Sequence, residues 1–203
     1  MNWLSPDSRF MQAWNNLTDG ILINLLMLVT SIPLVTIGAS LAAGNVAARK
    51  TLYGEGKGVV RTYFQAWKSN VFQATVLWIP YLVLAFILGY MWLFVRVPEL
   101  LIVQYGLSIV WVIGFEWTFA LQARFANSIP RTWFNGFVFG VVHWGYTLVL
   151  VLIDAAFVGI ILGTVMLLPQ LLFLVVVIGY GSMLMLHIPF TERVMRKYMK
   201  DSE

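Results

Sequence analysis

The chain alternates long apolar runs with short polar segments. Four runs stand out, at residues 71–95, 101–123, 137–166 and 171–188. Each holds roughly 20 residues or more, the length an α-helix needs to cross the core of a bilayer. The pattern predicts an all-α membrane protein, a polytopic helical bundle with at least four membrane-spanning helices.

The first fifty residues allow two interpretations. Their apolar part, residues 21–43, is interrupted at Ser31-Ile32-Pro33. A single kinked span would give five membrane helices with the N-terminus outside, whereas a hairpin broken at Pro33 would give six with the N-terminus inside. Six helices are preferred and five are the alternative.

A hairpin at Pro33 carries its own predictions. Thr36 would cap the second helix of the pair, because its hydroxyl can accept a hydrogen bond from a free amide. Gly and Ala residues follow between positions 38 and 44. They would let that helix pack closely inside the bundle.

Similar segments recur along the chain. RTYFQA at 61–66 is echoed by RTWFNG at 131–136, and VPELL at 97–101 by LPQLL at 168–172. This predicts three helical hairpins, at residues 7–53, 58–125 and 128–200, within one membrane domain covering 1–203. The alternative is that any cytoplasmic interface selects Arg with aromatic residues, since both anchor at the headgroup level.

Composition and charge agree with a membrane protein. Hydrophobic residues make up 60% of the chain and charged residues 11%, which leaves no room for a soluble catalytic domain. The Lys and Arg residues behind the net charge of +4 are confined to short segments between the runs. That distribution predicts that both termini lie in the cytoplasm. It also indicates that the partner of the chain is the lipid bilayer and not nucleic acid.

The sequence offers little for enzymatic chemistry. It has no Cys and two His, which exclude disulfides and thiolate ligands and argue against a zinc or iron site. The GEGKG segment at 54–58 lacks the spacing of a phosphate-binding loop, and GxSxG and HExxH motifs are absent. We therefore expect no enzyme activity, cofactor or metal.

Three ionisable residues lie within the apolar runs: Glu116, His143 and Asp154. On one continuous helix His143 and Asp154 would share a face about 16 Å apart, too far to bond each other. Each then needs a partner on another helix. The trio is the candidate intramembrane polar site, either as buried pairs that hold helices in register or as a substrate or proton pathway.

Two further sets of residues are candidates. A basic and polar loop faces either lipid phosphates or an anionic ligand, although Pro130 interrupts it and Asn127 or Ser128 can cap a new helix there. Its members are Arg124, Asn127, Arg131 and Asn135. Deep Trp residues either pack the core or line a cavity in which rings stack on sugars. These are Trp78, Trp111, Trp117 and Trp144.

Several strings carry a family resemblance: PLVTIGA at 33–39, FQAWKSN at 64–70 and QARFAN at 122–127, with His143 downstream. Together they resemble the YesL-like family of small bacterial integral membrane proteins, a domain of unknown function, nearly from end to end. Members are commonly encoded beside carbohydrate importers and polysaccharide-degrading enzymes. The resemblance implies the bacterial cell membrane and a role in saccharide uptake or its regulation.

The expected function follows from that resemblance. We expect an accessory or minimal transport component for saccharide uptake. The alternative is a non-transporting interaction or regulatory protein that assembles with a carbohydrate importer, and a membrane enzyme ranks third. The sequence lacks the cytoplasmic Glu-Ala-Ala loop with which importer permeases engage their ATPase, so a standard permease subunit is disfavoured.

Overall fold

The computed structural model describes residues 8–200 and is all-α, as predicted. Three short 3₁₀ turns, Leu34–Thr36, Pro98–Leu100 and Pro169–Leu171, join helices at prolines. The seven helices are α1 (Arg9–Thr30), α2 (Ile37–Leu52), α3 (Val59–Phe94), α4 (Leu101–Arg124), α5 (Ile129–Val142), α6 (Trp144–Leu167) and α7 (Leu172–Lys200).

Four segments of the described chain are long and apolar enough to cross a membrane: Val59–Phe94, Pro98–Arg124, Trp144–Leu167 and Pro169–Met199. Neither α1 nor α2 is among them. The first half of α1 is polar, and α2 has 16 residues and basic side chains in its last turn. The membrane class is therefore supported, whereas the six-span count and the three hairpin repeats stay predictions.

The turn predicted at Pro33 is present, but Thr36 acts differently from the prediction. α1 ends at Thr30 and α2 begins at Ile37, so no helix continues through the proline. The Thr36 hydroxyl donates to the carbonyl of Thr30 at 2.6 Å and to that of Pro33 at 2.8 Å. It therefore satisfies the end of α1 instead of capping α2.

α2 occupies the centre of the bundle because its side chains are small. Gly38, Ala39, Ala42, Ala43 and Gly44 are all buried, which confirms the predicted small-residue face. A Cβ at Gly38 would collide with the backbone of α3 and with a Trp side chain of that helix. The two helices can approach this closely only because the side chains of α2 are short.

The run at 137–166 was predicted as one span, and this was wrong. It breaks at His143, where α5 ends and α6 begins. The Thr147 hydroxyl donates across the break to the carbonyl of Gly140 at 2.7 Å and accepts a 2.9 Å bond from Trp117. The break allows α5 to follow α4 while α6 turns toward α7.

α7 is interrupted at Gly179, which has a positive φ of 47° that other residues rarely adopt. Asn24 of α1 bridges the interruption. Its Nδ2 donates to the carbonyls of Val176 at 2.8 Å and Val177 at 3.0 Å, and its Oδ1 accepts from the amide of Gly181. One side chain thus satisfies backbone groups that the interrupted helix leaves free.

Candidate functional site

Three ionisable side chains from three helices converge inside the bundle. Glu116 lies on α4, Asp154 on α6 and His187 on α7. One nitrogen or oxygen atom from each lies within 4.8 Å of the other two. His187 Nε2 and Asp154 Oδ1 are 3.1 Å apart. We call these three residues the ionisable centre.

One polar atom of each of the three residues is shielded from solvent and has no hydrogen-bond partner. His187 is 4% exposed, and the side chain of Asp154 is 24% exposed. Glu116 Oε2, Asp154 Oδ1 and His187 Nε2 are inaccessible to solvent, and the 3.1 Å contact does not have hydrogen-bond geometry. Unpaired buried polar atoms are costly, so their convergence requires an explanation.

Two small cavities lead away from the ionisable centre between α2, α4 and α7. The first has a volume of about 10 Å³ and is lined by Glu116 and His187 together with Asn45 and Thr191. The second, also about 10 Å³, is again lined by Asn45 and Thr191. Each has room for about one water molecule.

The second cavity ends at a separate group of charges. Glu192 of α7, 3% exposed at its side chain, lies 3.1 Å from Arg124 Nε of α4 and 3.5 Å from Arg196 Nε of α7. Arg196 also stacks on the ring of Tyr53, 4.5 Å from its centroid. We call Arg124, Glu192 and Arg196 the ion-pair cluster.

Two members of the predicted intramembrane trio, Glu116 and Asp154, meet in the ionisable centre, but His143 does not join them. His143 lies between α5 and α6, outside the four candidate spans, and its Nε2 is 2.9 Å from the hydroxyl of Tyr198. Burial lowers the pKa of His143, and the charge of Lys197 lowers it further.

Sequence reasoning missed His187. It is the next-to-last residue of the predicted run at 171–188, so the criterion that selected the other three residues also applied to it. Its proximity to residues on α4 and α6 cannot be inferred from sequence spacing, because the three residues lie on different helices.

The predicted basic loop is divided by the structure. α4 ends at Arg124, which turns into the ion-pair cluster, and α5 begins at Ile129 with Ser128 at its N-cap position. The carbonyl of Asn127 accepts a 2.6 Å hydrogen bond from Gln73. Arg131 is exposed and Asn135 is partly buried, both on α5, so the four residues do not form one stripe.

The four deep Trp residues do not line a common cavity in the described part of the chain. The indole N–H groups of Trp78, Trp111 and Trp117 donate to Leu34, Tyr81 and Thr147 at 2.8, 2.9 and 2.9 Å. Trp144 is 71% exposed on the outer surface. Three of them are packing residues whose polar atoms are already satisfied.

Comparison with known proteins gives one match. Residues 21–92, which include α2 and most of α3, match the family model described as "Protein of unknown function, DUF624", and the YesL-like family is the one this model describes. The YesL-like resemblance is confirmed over these residues. The matched segment contains Asn24 and Asn45 but ends before Glu116, so the ionisable centre lies outside it. No curated protein and no solved structure matches the chain significantly.

Proposed function

We propose that this YesL-like protein is a non-enzymatic, cation-coupled accessory component of a saccharide-uptake system in the bacterial cell membrane, with the ionisable centre as its coupling site. The observation that carries the proposal is the convergence of Glu116, Asp154 and His187 with their facing atoms unpaired. Ionisable groups inside a membrane protein are costly, and they commonly mark ion pathways or proton relays.

The interruption of α7 supports the same proposal. Gly179 lies eight residues before His187 on that helix, and Asn24 holds the broken segment. Non-helical backbone within a membrane is tolerated only when it is buried in protein or lines a cavity. Transporters use such interrupted helices to form their ion sites. An interrupted helix can also change its angle at the break, which a coupling element requires.

The two small cavities provide a route between the ionisable centre and the ion-pair cluster. Asn45 and Thr191 line both cavities, and Glu116 and Arg124 lie about 12 Å apart along α4. Single waters there could relay a proton or hydrate a small cation. The positive-inside pattern assigns the Arg124 end of this route to the cytoplasm.

Cavity size favours an accessory role over a minimal saccharide carrier. The enclosed spaces beside the ionisable centre each hold about one water, whereas a sugar ring requires a far larger site. The saccharide class itself rests on the family resemblance. Both termini are proposed to be cytoplasmic. Residues 1–7 and 201–203 lie outside the described part of the chain.

Ion flux into proteoliposomes tests the proposal. The purified protein would be reconstituted with a pH-sensitive dye and, separately, a metal-sensitive dye inside, and a membrane potential would be applied with and without a panel of oligosaccharides. We expect cation entry above that of empty liposomes, and its loss in Glu116→Gln and Asp154→Asn. Glu99→Gln, an exposed carboxylate in the turn before α4, is the matched control and should retain flux.

Flux equal to that of empty liposomes under every condition would overturn the coupling role and favour the non-transporting regulatory alternative. Equal flux in the wild type and in Glu116→Gln would overturn the assignment of the coupling site.

A further inference from the structure

We propose that the ionisable centre is a binding site for one divalent transition-metal ion, with Glu116 Oε2, Asp154 Oδ1 and His187 Nε2 as ligands. The inference deepens the proposed function by naming the cation class. It can be tested on the purified protein without any transport measurement, so the two proposals can fail separately.

The ligand geometry is the first argument. Ligand atoms about 2.0 to 2.2 Å from one metal ion are separated from each other by about 3 to 3.5 Å. The 3.1 Å between His187 Nε2 and Asp154 Oδ1 matches that separation, although the two atoms make no hydrogen bond. One carboxylate oxygen of Glu116 lies within 4.8 Å of a ligand atom of each of the other two residues, so a small side-chain adjustment completes the set.

Charge is the second argument. Metal ligands bind in their deprotonated forms, so a bound ligand set of two carboxylates and a neutral imidazole would carry a net charge of −2, which one divalent ion neutralises. Among residues 8–200, no Lys or Arg forms an ion pair with Glu116 or Asp154. The nearest arginine on α4, Arg124, is already engaged with Glu192 about two helical turns away. Among the described residues, His187 is therefore the only basic side chain paired with these two carboxylates.

The donor atoms indicate the class of metal. One imidazole nitrogen with two carboxylate oxygens suits Zn²⁺, Mn²⁺ or Fe²⁺, whereas Ca²⁺ and Mg²⁺ prefer all-oxygen sites and Cu⁺ prefers sulfur. A water in the adjoining cavity, beside Asn45 and Thr191, can occupy a further coordination position. The Asp154 side chain is 24% exposed, compared with 5% for that of His187, which favours ion access from the α6 side.

This proposal revises the expectation that the chain holds no metal. That expectation rested on the scarcity of His and the absence of Cys. One His is sufficient when carboxylates from two other helices complete the ligand set.

Cobalt binding provides the test. The purified, chelator-treated protein would be titrated with Co²⁺, whose visible absorption reports coordination geometry, followed by competition with Zn²⁺ and elemental analysis. We expect one Co²⁺ per chain. His187→Gln and Asp154→Asn should weaken binding by more than about 100-fold, since even outer-shell partners cost about 10- to 100-fold.

The second histidine supplies a matched control. The chain has two His, and His143→Gln removes the one that contacts Tyr198 outside the ionisable centre. It should leave the Co²⁺ affinity and spectrum unchanged. Size-exclusion chromatography and helical circular dichroism would verify the fold of each variant. If His187→Gln fails to fold, Asp154→Asn, which preserves side-chain size, still tests the site.

Specific outcomes would overturn the inference. Absence of stoichiometric Co²⁺ binding in the wild type, or equal affinity in the wild type, His187→Gln and Asp154→Asn, would show that the centre holds protons only. Equal weakening by His143→Gln and His187→Gln would assign the metal to another place. Metal binding without ion flux would uphold this inference and reject the coupling role, and proton flux without metal binding would do the reverse.

Discussion

The ionisable centre and the ion-pair cluster share two helices, α4 and α7, but differ in charge balance. α4 supplies Glu116 to the first and Arg124 to the second, and α7 supplies His187 and Glu192. In the ion-pair cluster one buried carboxylate faces two guanidinium groups. In the ionisable centre two carboxylates face one imidazole. The buried carboxylate of the first group has two protein cations beside it, whereas the carboxylates of the second have no Lys or Arg partner among residues 8–200. That difference is the basis of the proposed cation site.

This difference predicts opposite responses to mutation. Removing one partner from a buried ion pair leaves an uncompensated charge, which strongly destabilises a protein. Replacing one of two adjacent buried carboxyl groups by an amide removes an ionisable group without stranding an opposite charge. The stability of matched variants therefore distinguishes a structural cluster from a binding site.

The largest effect is expected for Arg124→Met. It leaves the buried carboxylate of Glu192 with only the longer contact to Arg196, and we expect a loss on the order of 3 to 5 kcal/mol in the free energy of unfolding. Thermal melting of the purified protein measures it. The control is Arg196→Met, because the Arg196 side chain is 53% exposed and should contribute about 1 kcal/mol or less. Equal losses in the two variants would contradict the asymmetry.

Asn24→Leu should have the next largest effect on the free energy of unfolding. Asn24 bridges the break in α7, the helix that carries residues of both clusters. The change leaves the carbonyls of Val176 and Val177 without their side-chain donor, and we expect a loss of about 1 to 3 kcal/mol. Asn15→Leu, at an exposed position of α1, is the matched control. An unchanged melting temperature in Asn24→Leu would show that the break in α7 does not depend on this side chain.

Glu116→Gln is not expected to destabilise the metal-free protein, in contrast to Arg124→Met and Asn24→Leu. The melting temperature of chelator-treated protein should stay the same or rise, since Gln keeps the size and hydrogen-bonding capacity of the side chain and removes an ionisable group from a buried position. Added Zn²⁺ should raise the melting temperature of the wild type by preferential binding to the folded state, and raise that of the variant much less. A loss in metal-free Glu116→Gln as large as that in Arg124→Met would show that the two clusters are of one kind.

The smallest effect concerns His143, the histidine outside both clusters. Because burial and Lys197 lower its pKa below the usual 6.5, its contribution to stability is present above that pH and is lost as the pH falls through it. The melting temperature of the wild type should therefore fall slightly more than that of His143→Gln between pH 8 and pH 5. Parallel curves for the two proteins would contradict this.

Much of the fold could be predicted from local sequence because its causes are local. Proline disfavours helix at the residue before it, so the turns at Pro33, Pro98 and Pro169 were visible, although Pro80 and Pro189 lie inside helices. The small residues of α2 predicted a buried helix. The break at His143 was not visible, because its local sequence is apolar and it depends on the fit of α5 against α4 and on a hydrogen bond from Trp117.

The candidate site was predicted in part. Glu116 and Asp154 were selected because charges inside apolar runs are costly, and that rule is independent of the fold. The rule could not tell which histidine meets the carboxylates, since both His143 and His187 lie within apolar runs. Arg124 was assigned to an exposed loop, because its partner, Glu192, is distant in sequence.

The sequence by itself determined that the chain is a helical membrane protein, where most of its helices end and which charged residues lie among apolar ones. These features depend on solvation and backbone sterics, which act on each segment separately. The tertiary structure alone decided that His187 joins Glu116 and Asp154, and that Arg124 pairs with Glu192. Those pairings depend on how α4, α6 and α7 are rotated and shifted along their axes relative to one another. Close packing around α2 and the Asn24 bridge across α7 establish this arrangement between segments that are distant in the chain.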